Sequence, residues 1–562
     1  MATKRKRLGE LLIDSGLISQ EQLAEALEIQ KQSGEKLGNI IVNQNYVSEP
    51  QIMEVLEFQL GIPFVDLNNT KIPSEAQRII PYNLIRRHNV VPVKIEMNML
   101  YVAMDDPLNF IAIEDLRMAS SYEIVPMIAS KEAINGTISK LYGTESADQA
   151  ILEFKKESDA SAGAMSQTLE VESYEVDSAP IVKLVYSTLE LAVSQGASDI
   201  HIEPMEDEVK VRFRVDGRLQ QSQNIPKEAQ AAVSTRIKIM AGLDIAEKRI
   251  PQDGRFDFTA NNKVLNVRVS VLPTVHGEKV VMRILDKTNF LLPKEKLGFT
   301  KSNLVKFDQL LQNPNGIILI TGPTGSGKST TLYTMLSELN QVSDNITTVE
   351  DPIEYQIDGL NQVQVNIKAG LTFPNALRSF LRQDPDIIMV GEIRDSETVD
   401  VAIRAAITGH LVLSTLHTND AVSSISRLED MGVEPYLIAV SLRGVISQRL
   451  VRRLCTRCAE PYRPVEYELQ YLGLPTDGDY TFYKAVGCSH CNKTGYKGRI
   501  AVHEILLINN EMKDMISRSA TVNEITKFAI EGGMSTLKDE SVKLIKNGIT
   551  SFNEAMQITY SQ

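Results

Sequence analysis

Cysteine is scarce in this sequence: four residues among 562, grouped as two pairs, too few for a disulfide scaffold and arranged for another use. No apolar run approaches the roughly 18 residues that cross a bilayer. The basic cluster at residues 4–7 leads into a stretch holding Glu10 and Asp14 rather than into a signal-peptide core, so a cytoplasmic chain is expected. Basic excess is missing too. Lys and Arg number 59 against 72 Asp and Glu, a net charge of −13, which argues against a protein that coats nucleic acid by counterion release. There is also no strip of interleaved aromatic and basic residues to track a single strand. What is present is ordinary globular material, 43% hydrophobic and 23% charged, which excludes a wholly disordered, collagen-like or integral membrane chain. At roughly 150 residues per domain the length implies about three to four domains.

The N-terminus repeats itself. Residues 7–30 read RLGELLIDSGLISQEQLAEALEIQ, and residues 36–59 read KLGNIIVNQNYVSEPQIMEVLEFQ, displaced by 29 positions. Each copy opens with a cation, Leu and Gly, then shows a short helical apolar pattern, a Ser at a helix start and a second helix ending in Gln, so two stacked helical hairpins are expected. Residues 90–104 alternate like a β-hairpin and residues 131–142 carry a helical pattern, completing a first region over 1–143. Ser, Ala, Asp and Glu then dominate 144–178, which reads as a flexible linker. Strand patterns at 209–215, 255–260 and 264–272, with helical ones at 181–195 and 229–241, predict a second α/β domain over 179–290. Continuous apolar strands at 316–321, 386–390 and 410–415 alternate with helices, the pattern of a parallel sheet in a nucleotide-binding core over 291–562. That core includes an insertion at 451–500 and C-terminal helices at 505–562. The fold class is therefore multi-domain α/β.

Gly322, Pro323, Thr324, Gly325, Ser326, Gly327, Lys328, Ser329 and Thr330 match G-x-x-x-x-G-K-[ST] between a predicted strand and helix. The glycines let backbone wrap phosphates, Lys328 neutralises the outer two, and the Ser329 hydroxyl reaches Mg²⁺. Hydrolysis needs in addition a carboxylate that orders water near the γ-phosphate. Glu392 directly follows a predicted buried strand and is the candidate; Glu350 and Asp351 are candidate polarising partners, with helix capping or a surface position as their plainer reading. His410 and His417 bracket the strand at 411–416, and His417 is the stronger candidate for sensing nucleotide, core packing being the alternative. Cys455, Cys458, Cys488 and Cys491 form two C-x₂-C pairs with 29 residues between them, suited to structural Zn²⁺, or else to redox pairing. Arginines cluster at Arg212, Arg214, Arg218, Arg268, Arg283, Arg378 and Arg382, where bidentate guanidinium groups could complete a phosphate site.

Together these boxes resemble one family, the bacterial secretion ATPases that drive type IV pilus assembly and type II secretion. GPTGSGKST is similar to its Walker A motif, TTVEDPIEY (347–355) to its Asp box, LRQDPDIIMVGEIRD (381–395) to its Walker B motif and TGHLVLSTLHTNDA (408–421) to its His box. The resemblance implies a RecA-like core preceded by a smaller PAS-like α/β domain. It further implies Glu392 as catalytic carboxylate, phosphate contacts from Arg268, Arg283, Arg378 and Arg382, and a metal-binding insertion at the cysteines. The family works as a homo-hexameric ring that turns ATP hydrolysis into motion of an inner-membrane platform protein. Such a motor meets the cytoplasmic face of the membrane only through partners, and no nucleic acid is expected. The N-terminal repeats resemble the cyclic di-GMP-binding domain found on some members. The ligand would fall to Arg7, Leu8, Gly9, Leu23, Leu27 and Gln30 in the first copy, and to Lys36, Leu37, Gly38, Leu56 and Gln59 in the second. The second copy carries Lys36, Asn45 and Ile52 where the motif has Arg, Gly and Leu. A helical docking domain for a membrane partner is the other reading of this region. Pilus extension is the expected task, with a type II secretion motor as the alternative and a second-messenger receptor with slow ATPase as a further one.

Overall fold

The protein is described from a computed structural model that covers residues 12–33 (without 14 and 16), 41, 46, 47, 62–142 (without 68, 69, 71, 108, 132, 139 and 140), 151, 179–260, 263–285 and 291–559. The linker expected at 144–178 thus lies outside the described residues except for residue 151, as do residues 286–290 just before the boundary expected at 290/291. Two units divide the chain, Met1–Leu285 and Asp286–Gln562.

In the first unit the N-terminal repeat contributes helix α1 (Gln20–Ser33). The expected Ser at its start closes a reciprocal cap: Ser19 N–H donates to Gln22 Oε1 at 2.8 Å and Gln22 N–H donates to Ser19 Oγ at 3.2 Å. The alternating run at 90–104 is the antiparallel hairpin of β1 (Val90–Glu96) and β2 (Met99–Met104). Helix α2 (Phe110–Ser120), capped by Asn109 Oδ1 at the Ala112 N–H, then carries the chain across to β3 (Glu123–Ile128), parallel to β2.

Farther on, α3 (Ala179–Ser194) precedes β4 (Ala197–Pro204), β5 (Glu208–Val215) and β6 (Arg218–Pro226), and α4 (Gln230–Met240) precedes β7 (Gln252–Ala260), β8 (Lys263–Thr274) and β9 (Gly277–Leu285). These six strands form one antiparallel sheet in the order β6-β5-β4-β9-β8-β7. Side chains alternate across it. Ile200, Ile202, Val211, Phe213, Val267 and Val269 are buried in the core shared with α3 and α4, while the intervening positions on the opposite face are charged.

The second unit holds α5 (Lys301–Leu311), β10 (Gly316–Thr321), α6 (Lys328–Leu339), β11 (Ile346–Glu350), β12 (Asn361–Gln364), α7 (Phe373–Phe380), β13 (Ile387–Val390), α8 (Ser396–Ile407), β14 (Leu411–Leu416), α9 (Ser423–Asp430), α10 (Pro435–Ser441) and β15 (Leu442–Leu454). A small subdomain follows with β16 (Glu460–Tyr462), α11 (Glu466–Leu472) and β17 (Phe482–Lys484). The chain returns through β18 (Tyr496–Leu507) to α12 (Asn510–Ser517), α13 (Val522–Glu531), α14 (Leu537–Lys546) and α15 (Phe552–Thr559). The sheet order is β12-β11-β13-β14-β10-β15-β18, parallel through β15. Every residue of β10, β11, β13 and β14 is buried, which is why β10, β13 and β14 read as apolar runs, while β11 encloses Thr347, Thr348 and Glu350 as well. Each Ile or Leu enclosed there stabilises the fold by about 1.5–3 kcal/mol relative to exposure.

The sheet departs from the expected all-parallel pattern at one edge, where β18 runs antiparallel to β15. No crossover helix carries the chain over the sheet between them; the cysteine-bearing subdomain turns the chain back at the strand ends, and the return strand is antiparallel for that reason. Residues 505–507 are the end of this strand, so the C-terminal helices begin at Asn510 rather than at 505.

Candidate functional site

Register decides which residues share an edge. Thr321 pairs with Leu416, Ser414 with Val390 and Val390 with Val349, so the loops that follow β10, β14, β13 and β11 leave the sheet at the same carboxyl edge. Those loops carry Gly322–Thr330, His417, Glu392 and Asp351, while Glu350 is the last residue of β11. In parallel α/β sheets this edge is where ligands bind.

The glycine-rich loop is shaped by contacts that only glycine permits. Gly322 has φ 138°, and a Cβ there would meet the Gln448 carbonyl oxygen at 2.3 Å; Gly327 has φ 89°, and its Cβ would meet Gln448 Nε2 at 2.7 Å. Lys328 opens α6, and its Nζ donates to the loop's own carbonyls, Gly322 O at 2.8 Å and Pro323 O at 3.2 Å. The Ser326 hydroxyl is buried without a hydrogen-bond partner. A helix N-terminus with free N–H groups, an unsatisfied hydroxyl and a lysine folded back over the loop are the donors a polyphosphate requires, so the residues fit a nucleotide.

Glu392, one residue past Gly391 at the end of β13, is paired by Arg394 Nη2 to its Oε1, and its Oε2 lies 3.6 Å from His417 Nε2. Burial pushes the Glu392 carboxyl up, but the Arg394 hydrogen bond and charge, with the Lys328 charge behind them, outweigh it, leaving the group below its ordinary range and ionised at neutral pH. The same crowding lowers its neighbours. Burial lowers the Lys328 ammonium, helped by Arg449, and burial followed by the Lys328 charge lowers His417, so His417 is neutral at pH 7. His410 sits at the opposite end of β14, with Nδ1 2.8 Å from Ala405 O.

Glu350 is only 4% exposed and fully occupied: it accepts from Tyr333 Oη, from Thr348 Oγ1 at 2.7 Å and from Gln362 Nε2 at 3.1 Å. Burial beside this carboxylate raises the Tyr333 phenol far above its ordinary value. Asp351 is exposed, and its charge reinforces Arg394. Arg378 pairs with Glu397 at 2.7 Å and Arg382 Nη1 donates to Arg378 O at 2.9 Å, so these two join each other rather than the group at Lys328, Glu392 and His417. Arg268 and Arg283 belong to the first unit, where they face each other in register on β8 and β9, and Arg283 Nε is bonded to Asp199 Oδ1 at 2.8 Å. Of the residues considered for cyclic di-GMP, Leu23 is half-buried and Leu27 exposed on α1. Gln30 lies in α1 with its side chain outside the description, and Arg7, Leu8, Gly9, Lys36, Leu37, Gly38, Leu56 and Gln59 lie outside the described residues.

The four cysteine sulfurs lie within 4.8 Å of one another. Cys455 and Cys488 are 3.8 Å apart, Cys458 and Cys491 3.7 Å, and Cys488 and Cys491 3.7 Å. Zinc–sulfur bonds of about 2.3 Å in a tetrahedron put sulfurs about 3.8 Å apart, so the residues fit Zn²⁺. Backbone N–H groups of Gly487, Cys488 and Gly495 point at Cys458 and Cys491 sulfurs, at 3.3, 3.2 and 3.2 Å. The thiols titrate together: burial raises Cys455 and pushes Cys458 up to about 12, while the Cys488 and Gly495 N–H groups and the neighbouring thiols bring Cys491 down to about 7 against its own burial, so Cys491 is the first to become a thiolate.

Comparison with known proteins agrees with this geometry. Residues 174–557 match the family described as Type II/IV secretion system protein, and residues 60–148 match the MshEN domain. This chain belongs to the type II/IV secretion system protein family. Its relatives include the Type IV pilus assembly ATPase PilB of Myxococcus xanthus, 42% identical over 98% of both chains, and the Type II secretion system protein E of Xanthomonas campestris pv. campestris, 40% identical over 98% of both chains. Among solved structures the ATPase DotB of Legionella pneumophila shares the fold, with TM-score 0.51 and 23% identity over 67% of this chain and 95% of that one. The RecA-like α/β class expected for a secretion-family core is the class found. The MshEN match begins after the second N-terminal repeat, so the repeat residues considered for cyclic di-GMP precede it.

Several side chains that shape these surroundings escaped sequence reasoning. Arg394 stands two residues beyond Glu392, and a cation at that spacing in GEIRD was the available signal. Gln448 fixes the loop from β15, donating from Nε2 to Ser326 O at 2.8 Å and accepting from Thr331 Oγ1 at 2.7 Å. Its signal was a Gln-Arg pair inside an otherwise buried strand, VISQRLV. Asp199 and Glu203, both buried, alternate with apolar residues in SDIHIEP and anchor Arg283, Arg212 and Lys279. Among the described residues no helix is long and apolar enough to cross a membrane.

Proposed function

We propose that this chain is a hexameric, cytoplasmic ATPase motor that extends a type IV pilus by driving an inner-membrane platform protein, and that cyclic di-GMP regulates it through the N-terminal repeats. The observation that carries this reading is the shared carboxyl edge of β10, β13 and β14, which unites a phosphate loop, an ionised carboxylate and a neutral histidine in a chain similar along its length to a pilus assembly ATPase.

The chemistry follows from the side chains. Loop N–H groups and Lys328 hold the β- and γ-phosphates of ATP, and Mg²⁺ arriving with the nucleotide would be held by Ser329 and supply further charge neutralisation. Glu392, released from Arg394, accepts a hydrogen bond from water and directs its oxygen at the γ-phosphorus. The P–O bond to the β-phosphate breaks, ADP leaves with the bond's electron pair, and the water proton passes to the carboxylate or to the departing phosphate. His417 contacts Glu392 as a neutral ring and registers the change. Arg268 and Arg283 would add positive charge at the phosphates, and Glu350, held by three donors, positions β11 and α6. Zn²⁺ at the four cysteines would hold the subdomain between β15 and β18 together.

A type II secretion motor is the second reading, favoured by the 40% identity to the Xanthomonas protein over 98% of both chains. ATP turnover by the purified full chain, with and without cyclic di-GMP, tests the enzymatic reading. Lys328→Ala is expected to lose nucleotide binding, and Glu392→Gln to bind ATP while turning over at least about 100-fold more slowly. Undiminished turnover by Glu392→Gln would refute its role. Turnover that only cyclic di-GMP makes measurable would favour a receptor with a subordinate ATPase.

A further inference from the structure

Strand β15 lies beside β10, with Ser447 in register with Thr321, the residue before the phosphate loop. Two residues farther along β15 the Arg449 side chain is 9% exposed. Its Nη2 donates to the Asn419 carbonyl at 3.3 Å and to Asn419 Oδ1 at 3.1 Å, while its Nε–H is buried without a partner. Among the described residues no carboxylate approaches it closely enough for an ion pair. Asp420, whose charge it feels, is committed to capping α9: its Oδ1 accepts from the Ser423 N–H at 2.7 Å and its Oδ2 from Ser423 Oγ at 2.6 Å.

A guanidinium removed from water and left without a counter-ion is costly, and proteins retain such a group where an anion completes it. Its charge reaches Lys328, whose proton affinity it lowers. Two cations beside one glycine-rich loop repel each other until a polyanion lies between them. Arginine suits that task because its planar fork keeps donors free after one nitrogen is used on Asn419.

We propose that Arg449 is a further nucleotide-binding residue, a ligand to phosphate reached from β15 and tied through Asn419 to the loop that begins at His417. The proposal rests on the reading that the 322–330 loop binds ATP. It makes the cation a gain only when nucleotide is bound, which separates it from a purely structural role.

The test uses the purified full chain with a non-hydrolysable ATP analogue and Mg²⁺, comparing wild type with Arg449→Met and Arg449→Lys. Expected for Arg449→Met is an affinity at least tenfold weaker, with a nucleotide-free melting temperature equal to or above wild type; Arg449→Lys, which keeps charge without the fork, falls between. Affinity within twofold of wild type for Arg449→Met overturns the proposal, whatever its melting temperature. A wild-type chain that fails to bind the analogue defeats the ATP-loop reading itself, a result distinct from loss confined to the variants.

Discussion

At the scale of single residues, the electrostatics around Glu392 would set the conditions for the proposed hydrolysis. Its carboxyl is held below the ordinary range because the Arg394 bond and neighbouring cations outweigh burial, so it stays ionised as pH falls. Removing the arginine reverses the balance. Arg394→Ala is expected to move the acid limb of the pH–kcat profile upward, because the unpaired and partly buried carboxyl takes up a proton at higher pH. A profile that keeps the wild-type acid limb would show that Arg394 does not tune this group. His503 presents the opposite case. It is 2% exposed, stacked on Phe299 at 3.9 Å between ring centroids, with both ring nitrogens buried and unpartnered; burial brings it down to about 3. Between its ordinary value of 6.5 and that lower one, the unfolded chain binds a proton that the folded chain refuses. Stability therefore falls as pH drops below 6.5, by about 1.4 kcal/mol per unit. His503→Leu is expected to lose about 2 kcal/mol less than wild type between pH 6.5 and 5, read from denaturant unfolding of the two proteins at each pH. Equal losses would contradict the assignment.

At the scale of elements, the subdomain between β15 and β18 depends on its sulfurs and on what it packs against. Leu469, Leu472 and Phe482 share a core with Val542, Ile545 and Phe552 of α14 and α15, and Arg452, lying over the Tyr496 ring, pairs with Glu554 of α15 at 2.7 Å. Stripping zinc with a chelator is expected to open residues 455–495 to protease while the 322–330 loop still binds nucleotide. An unchanged cleavage pattern would sink the structural-zinc reading. How much of this was legible varies for physical reasons. β10, β13 and β14 were readable because strands covered on both faces are continuously apolar, and the phosphate loop because its spacing is dictated by the ligand. The reversal at β18 was not, since strand direction depends on what connects β15 to β18 rather than on either strand's residues. Nor was the enclosure of Glu350, whose donors arrive from Tyr333 on α6 and Gln362 on β12, contacts that no local pattern encodes. Arg378 and Arg382 were singled out by their clustering and by the family resemblance, and the partners they take in this structure, Glu397 and a backbone carbonyl, are visible only in three dimensions. Arg449 was hidden for a related reason, since a cation inside a buried strand shows its value only once its counter-ion is seen to be missing.

At the scale of the whole molecule, every part serves one proposed cycle: a phosphate loop with its carboxylate edge in the second unit, an arginine-bearing sheet in the first, and an N-terminal repeat that would receive a second messenger. The proposed hexameric ring makes a blocked subunit a poison, because one copy that binds ATP without hydrolysing it stalls its neighbours. That property gives the most direct test of the central claim. Glu392→Gln is expressed beside the wild-type chain in the source bacterium, and surface pili and secreted enzymes are measured in the same cultures. Loss of pili with secretion intact is the result expected of a pilus-extension motor. Pili that persist while secretion stops would contradict it and make this chain the secretion motor instead.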